Sequence, residues 1–282
     1  MRAVYSIVRL ILAWMVCGAC CACAQDAQEI VRRSIELDQT NWVRMADYTW
    51  EGRSLERHFD SHNRVTSRHS ESWDTIVLDG QTFRRTLERD GKPVSADEQR
   101  RQQQKLDKAA ARLEKETPEE KQRQAADVDK ARRRERQFLL EVPDAFNLTL
   151  EGSDKIDGRD VWVISGVPKP GYHAKSRDGA ALAKIRGKIW IDKESYQWVR
   201  LQGETIGTIS FGLFLARLNP GARLEIDQTR VNGEVWLPKR EYMTGTGRIG
   251  LLKRVAEDDE ITWSDYKKFH VDSKVVAIPE PK

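Results

Sequence analysis

Gly187-Lys188-Ile189-Trp190-Ile191-Asp192-Lys193-Glu194-Ser195-Tyr196-Gln197-Trp198-Val199-Arg200-Leu201 is the stretch on which the fold turns. Two runs of β-branched and aromatic residues flank a short polar segment, which predicts an antiparallel pair, 187–192 with 196–204. Neighbouring residues of a strand point to opposite faces. In Ile189-Trp190-Ile191, and again in Val161-Trp162-Val163-Ile164, both sets are bulky and apolar. A sheet with apolar bulk on both faces must be covered twice.

Outward from this pair the same pattern repeats. Asp79-Gly80, Asp157-Gly158 and Asn232-Gly233 accept positive φ at low cost, as a type I′ turn demands. They predict hairpins 73–78 with 81–88, 148–156 with 159–167, and 222–231 with 234–243. Strands adjacent in the chain and joined by short turns make an antiparallel sheet. No strand–helix alternation or Gly-rich strand-to-helix loop supports a Rossmann or P-loop fold. The expected class is α+β, dominated by one large antiparallel sheet.

Two helical regions accompany the sheet. Ile30, Ser34 and Leu37 lie near helical spacing and predict an amphipathic helix over 26–38. Residues 95–137 differ in kind. Ser95-Ala96-Asp97-Glu98 and Thr117-Pro118-Glu119-Glu120 are capping boxes, the second with proline at the first helical position. Residues 97–136 hold 13 Lys+Arg and 10 Asp+Glu, with few apolar residues beyond Leu106, Leu113 and Val128. This is an inserted, solvated helical hairpin. Its run Arg132, Arg133, Arg134 and Arg136 is the candidate contact for an acidic partner or anionic lipid head groups.

At the N-terminus, Arg2 and Arg9 are followed by the apolar run 10–17 and by Ala22-Cys23-Ala24, the A-x-A pattern of a signal-peptidase site. The expected organisation is a signal peptide, 1–24, and one exported domain, 25–282. Lipidation at Cys20, Cys21 or Cys23 is the alternative, and it would tether the mature N-terminus. After cleavage there is no run of about 18 apolar residues that could cross a bilayer as a helix. All four cysteines lie within the first 24 residues, so a disulfide framework, a thiolate metal site and a cysteine nucleophile are excluded downstream.

Lys+Arg 48 against Asp+Glu 44 leaves a formal charge of +4, too little for a protein that neutralises many phosphates, so no nucleic acid is expected. His58, His62 and His69 match no metal-ligand spacing and are read as surface residues. Asp258-Asp259-Glu260 reads as a solvated turn beside Lys253-Arg254. Neither H-E-x-x-H nor G-x-S-x-G occurs. No catalytic residue, metal or cofactor is expected, and the chain is read as a non-enzyme.

The order of cleavable signal, N-terminal helix and sheet, with 187–201 as its centre, resembles the periplasmic lipoprotein-carrier group with its LolA, LolB and RseB relatives. Asn232-Gly233-Glu234-Val235-Trp236-Leu237-Pro238 is similar to that group's later G-x-W-x-P hairpin. The resemblance implies a strongly curved, incomplete antiparallel barrel with helices on its concave side and acyl chains bound inside. The insert 95–137 departs from the basic carrier.

Read together, the residues and the resemblance point to a periplasmic, non-enzymatic binder of a lipid or of lipoprotein acyl chains. At about 0.8 kcal/mol per buried CH₂, an acyl chain supplies ample binding energy. The candidate ligand residues are Trp162, Ile164, Ile189, Ile191, Val199, Leu201, Ile209, Phe211 and Leu213. The stretch 205–215, apolar and closed by Asn219-Pro220-Gly221, reads as a buried strand or as a lip touching a membrane surface. The alternative function is an envelope regulator or scaffold that binds a protein partner through the charged insert.

Overall fold

The computed structural model describes residues 27–78, 81–176, 178–211, 216–249 and 253–269. The signal sequence and its cysteines, the Asp79-Gly80 turn and Leu213 lie outside them, as do the side chains of Arg132 and Phe211. Among the described residues, thirteen strands form an antiparallel sheet that does not close. In chain order they are β1 Tyr48–Phe59, β2 Val65–Leu78, β3 Gln81–Arg89, β4 Lys92–Pro93, β5 Phe146–Ile156, β6 Arg159–Pro168 and β7 Ile185–Asp192. There follow β8 Trp198–Thr205, β9 Ile209–Phe211, β10 Ala216–Leu218, β11 Arg223–Val231, β12 Val235–Ile249 and β13 Lys253–Lys268. The helices are α1 over 27–45, α2 Ala96–Leu113, α3 Pro118–Arg136 and α4 Val142–Ala145.

The chain divides into two units, Met1–Gln39 with Glu135–Glu225, and Thr40–Arg134 with Ile226–Lys282. In the first unit the strand order is β8-β7-β6-β5. Register places Trp162 opposite Ile191, Ile164 opposite Ile189, and Leu201 opposite Ile189. Alternation therefore gathers these five side chains on one face. Ala27, Ile30 and Val31 of α1 pack against Ile164 and Ile191, which are fully buried, with Ile35, Leu148, Leu150 and Trp198 around them. The spacing of Ile30, Val31 and Ile35 lays one apolar stripe of the helix on that face.

The turn that decides the fold is pinned electrostatically. Arg159 Nε and Nη2 donate to the two Asp192 carboxylate oxygens at 2.7 and 2.9 Å. Ser195 adds its N–H and hydroxyl to Asp192 Oδ1 at 2.8 and 2.7 Å. Burial opposes the charge on Asp192, but these donors outweigh it and hold the carboxyl below its usual range. Tyr196 takes a positive φ of 56°, reversing the chain into β8. The predicted type I′ pairs behave as expected, with φ of 49° and 79° at Asp157-Gly158 and 51° and 70° at Asn232-Gly233.

In the second unit the order is β4-β3-β2-β1-β13-β12-β11. Tyr48, Val235 and Leu237 form one buried cluster, and Leu78 packs with Leu106 and Leu113 of α2 in another. Helix α2 also seals the β3 edge: the Gln102 amide accepts from Thr86 N at 2.8 Å and donates to Thr86 O at 3.2 Å, as a neighbouring strand would. Ser95 caps α2 through its hydroxyl, and Thr117 and Glu120 exchange the two bonds of a capping box before α3.

Two sequence expectations are corrected. The N-terminal helix does not end at 38 but runs to 45, because its later residues gain partners the periodicity does not reveal. Asn41 donates to Trp236 O at 2.9 Å and accepts from Trp236 N at 2.7 Å, and Arg44 donates to Glu234 O at 3.0 Å. Asp258-Asp259-Glu260 is not a turn but the middle of β13. Strand alternation sends Asp258 to Arg57 at 2.7 Å and Glu260 to Arg240 at 2.6 Å, while Asp259 faces the other way.

Candidate functional site

A hollow of about 470 Å³ lies in the first unit. The ends of β6 and β7 and the loop after β8 build it. Val167 and Pro168 close β6, Ala183 and Arg186 bracket the start of β7, and Ile206 follows β8. Val167 is 52% exposed and Ile206 47%, so the hollow presents two aliphatic side chains to solvent.

Its far wall is Lys169–Tyr172, part of the segment 169–176, which lacks regular structure and is held by a buried carboxylate. Glu141 accepts hydrogen bonds from the Tyr172 and Ser176 hydroxyls and from Lys175 N, the last at 2.7 Å. The Ser176 and Tyr172 hydroxyls hold the Glu141 carboxyl below its usual range despite its burial. Burial, reinforced by Glu141, pushes the Tyr172 phenol up to about 12. Lys169 N donates to Ala145 O at 2.8 Å and Lys169 Nζ to Pro143 O at 3.1 Å, tying the start of the segment to α4. A methyl group at Gly179 would fall 2.6 Å from both Glu141 carboxylate oxygens, so glycine lets the chain close over this anchor. The wall is thus preorganised, and the hollow combines an apolar surface with the cationic Lys169 and Arg186.

The sequence-predicted ligand residues fall elsewhere in the same unit. Trp162, Ile164, Ile189, Ile191 and Leu201 share the face described above, and α1 covers Ile164 and Ile191. Val199 is the extra residue at a bulge where Ile191 pairs with Trp198, and it is buried. Ile209 is buried on β9, paired opposite Leu218. Of the candidate arginines, Arg136 is bonded to Asp38 of α1, whose other oxygen accepts from Trp198 Nε1 at 3.2 Å. Arg133 and Arg134 are exposed. Sequence reasoning missed the residues of the hollow. Its signal was Val167-Pro168-Lys169-Pro170-Gly171, where two prolines stop a strand whose last apolar residue then has no neighbour to cover it.

No protein-family model and no curated protein matches the chain. Solved structures similar to it include a domain assigned to outer-membrane lipoprotein sorting from Vibrio parahaemolyticus. The two are 12% identical with a TM-score of 0.34, over 84% of this chain and 92% of that one. A LolA superfamily protein from Nitrosomonas europaea is 10% identical with a TM-score of 0.30, over 86% and 94%. The Pseudomonas aeruginosa MucA/MucB complex is 10% identical with a TM-score of 0.24, over 84% and 93%.

Proposed function

We propose that this chain is an exported, non-enzymatic binder of an apolar ligand carrying an anionic end, a lipid or an acylated peptide, seated in the hollow of the first unit. The observation that carries the reading is the hollow itself. At about 470 Å³ it falls within the roughly 300–1,000 Å³ range of small-molecule sites. Its exposed Val167 and Ile206 would gain from burial against an alkyl chain, and Lys169 and Arg186 on its wall would meet a carboxylate or phosphate by leaving their present partners, Pro143 O and Glu204. Trp162, Ile164, Ile189, Ile191 and Leu201 lie on the face against which α1 packs, and a chain reaching them would have to displace that helix. Export rests on the signal pattern of 1–24, and a periplasmic location on the resemblance drawn from 187–201 and 232–238.

The test is titration of the full chain with a dansyl-labelled undecanoate, followed by hydrogen exchange. Saturable binding is expected, weakened about tenfold or more by Ile206→Asp, because that change places a charge where the alkyl chain should lie. The amides of Lys169 and of 171–176 should gain protection. If 27–39 instead loses protection on binding, the chain enters beneath α1 at the sequence-predicted residues. Absence of saturable binding would sink the reading.

One observation favours the second function, a scaffold for a protein partner. Helix α3 spans Pro118–Arg136, and those of its side chains that are described are exposed except at Gln124 and Arg136. A helix polar all round that packs on little contributes slight folding energy of its own, so a contact made elsewhere is its natural use. Replacing the α3 stretch 118–134 by a short glycine-serine linker, which leaves α2 in place, should leave probe binding unchanged and remove the partner.

A further inference from the structure

The second unit collects ionisable groups on one face of three adjacent strands. Glu56 and His58 lie two residues apart on β1 and so point the same way. Across the ladder to β13, Asp259 stands opposite Glu56 and Glu257 opposite His58. Across the ladder to β2, His69 stands opposite Glu56, and its ring meets that of His58 edge to face with centroids 6.5 Å apart. The His58 Nε2 atom is 2.7 Å from Glu56 Oε1, and Nδ1 is 3.5 Å from Glu257 Oε2. One donor atom from each of these three residues lies within 4.8 Å of the others.

We propose that Glu56, His58 and Glu257 form a site for a first-row divalent metal ion such as Zn²⁺, with Asp259 beside it contributing negative charge. Two carboxylates and one imidazole make a mixed oxygen and nitrogen set. Such a set suits zinc, cobalt, nickel or manganese and discriminates against magnesium and calcium, which take oxygen ligands. The side chains of Glu56, His58 and Glu257 are 45%, 33% and 37% exposed, so an ion held there keeps open positions for water.

A second observation, independent of the three donors, points to a cation. Asp259 Oδ1 is buried and has no hydrogen-bond partner. Asp259 and Glu56 line the same hollow of about 230 Å³, which His69 also lines. Asp258 and Glu260 on the opposite face each have an arginine. Glu56, Glu257 and Asp259 share this face with the imidazoles of His58 and His69, while the nearby Arg89 is already paired with Glu71 and Glu98, and a divalent cation would relieve the remaining negative charge. The spacing in sequence hides the set, since its donors become neighbours only through the β1–β13 register.

The experiment uses the untagged full chain with its four cysteines alkylated, so that thiolates near the N-terminus do not compete. Calorimetric titration with Zn²⁺ and with Co²⁺ at neutral pH should show one equivalent bound in the presence of excess Mg²⁺. His58→Gln and Glu257→Gln should each weaken binding about tenfold or more, while His62→Gln, in the β1–β2 turn, should leave it unchanged. In the unmutated chain, substoichiometric Co²⁺ should broaden the imidazole proton resonances of His58 and His69 before those of His62 and His173. The proposal fails if no saturable binding occurs, if binding survives His58→Gln, or if another histidine is broadened first.

Discussion

In the first unit the middle of the sheet is covered by apolar side chains. Ile164 and Ile191 are fully buried beneath Ile30 and Val31, and the buried carboxylate of Asp192 is met by four donated hydrogen bonds. In the second unit the middle of β1 and β13 carries Glu56, His58, Glu257 and Asp259 on one face, with a buried oxygen left unpartnered. Both regions are antiparallel ladders obeying the same alternation. What differs is whether alternation brings together groups whose contacts are already complete. Apolar alternation ends in a packed core, and polar alternation ends in a surface that something else must satisfy.

The largest effect that would break this contrast is expected at Ile191. Ile191→Ala removes a fully buried side chain from beneath α1 and should cost about 2–5 kcal/mol in urea-induced unfolding. A loss near zero would mean that the helix is not a fixed cover of this face.

A smaller loss, about 2 kcal/mol, is expected for Asp192→Asn, since it breaks the bidentate pair while Arg159 keeps Glu194. The pH dependence has a definite sign. The folded Asp192 carboxyl lies below its unfolded value of about 3.9, so its contribution is complete above that value and disappears as pH falls through the folded one. Acid titration of stability should therefore be steeper in that window for the unmutated chain than for Asp192→Asn. Equal slopes would show that the pair does not form in solution.

In the second unit Gly52 sits against the Trp73 ring, where an added Cβ would lie 2.3 Å from Cε2, and Arg84 stacks on the ring at 3.5 Å. Gly52→Ala should cost about 1–3 kcal/mol by overpacking, read as a drop in Tm. The smallest effect, about 1 kcal/mol, is expected for Gln102→Ala, which unseats the side chain that seals the β3 edge. Faster exchange of the Thr86 amide would report it directly.

The legibility of the sequence follows the same division. The hairpins centred on Asp157-Gly158 and Asn232-Gly233, and the pair 187–204, could be read because turn chemistry and side-chain alternation act within a few residues. The capped helices of the insert were legible for the same reason. The continuation of α1 to residue 45 was not, since its support comes from Trp236 and Glu234, nearly two hundred positions away. The acids of β13 looked like a turn because three consecutive charges say nothing about which cross-strand arginines await two of them. The hollow beside Val167 was hidden because it depends on Glu141 organising 169–176, a contact spanning more than thirty residues.

By itself the sequence determined the antiparallel class, the turns that generate it, the apolar faces of β6 and β7, and the charged character of the insert, all from interactions of short range along the chain. The tertiary structure alone decided which apolar face α1 covers, where a hollow remains, and which ionisable groups share a face. Those outcomes depend on register between distant strands, and a shift of one residue would send every side chain to the opposite face.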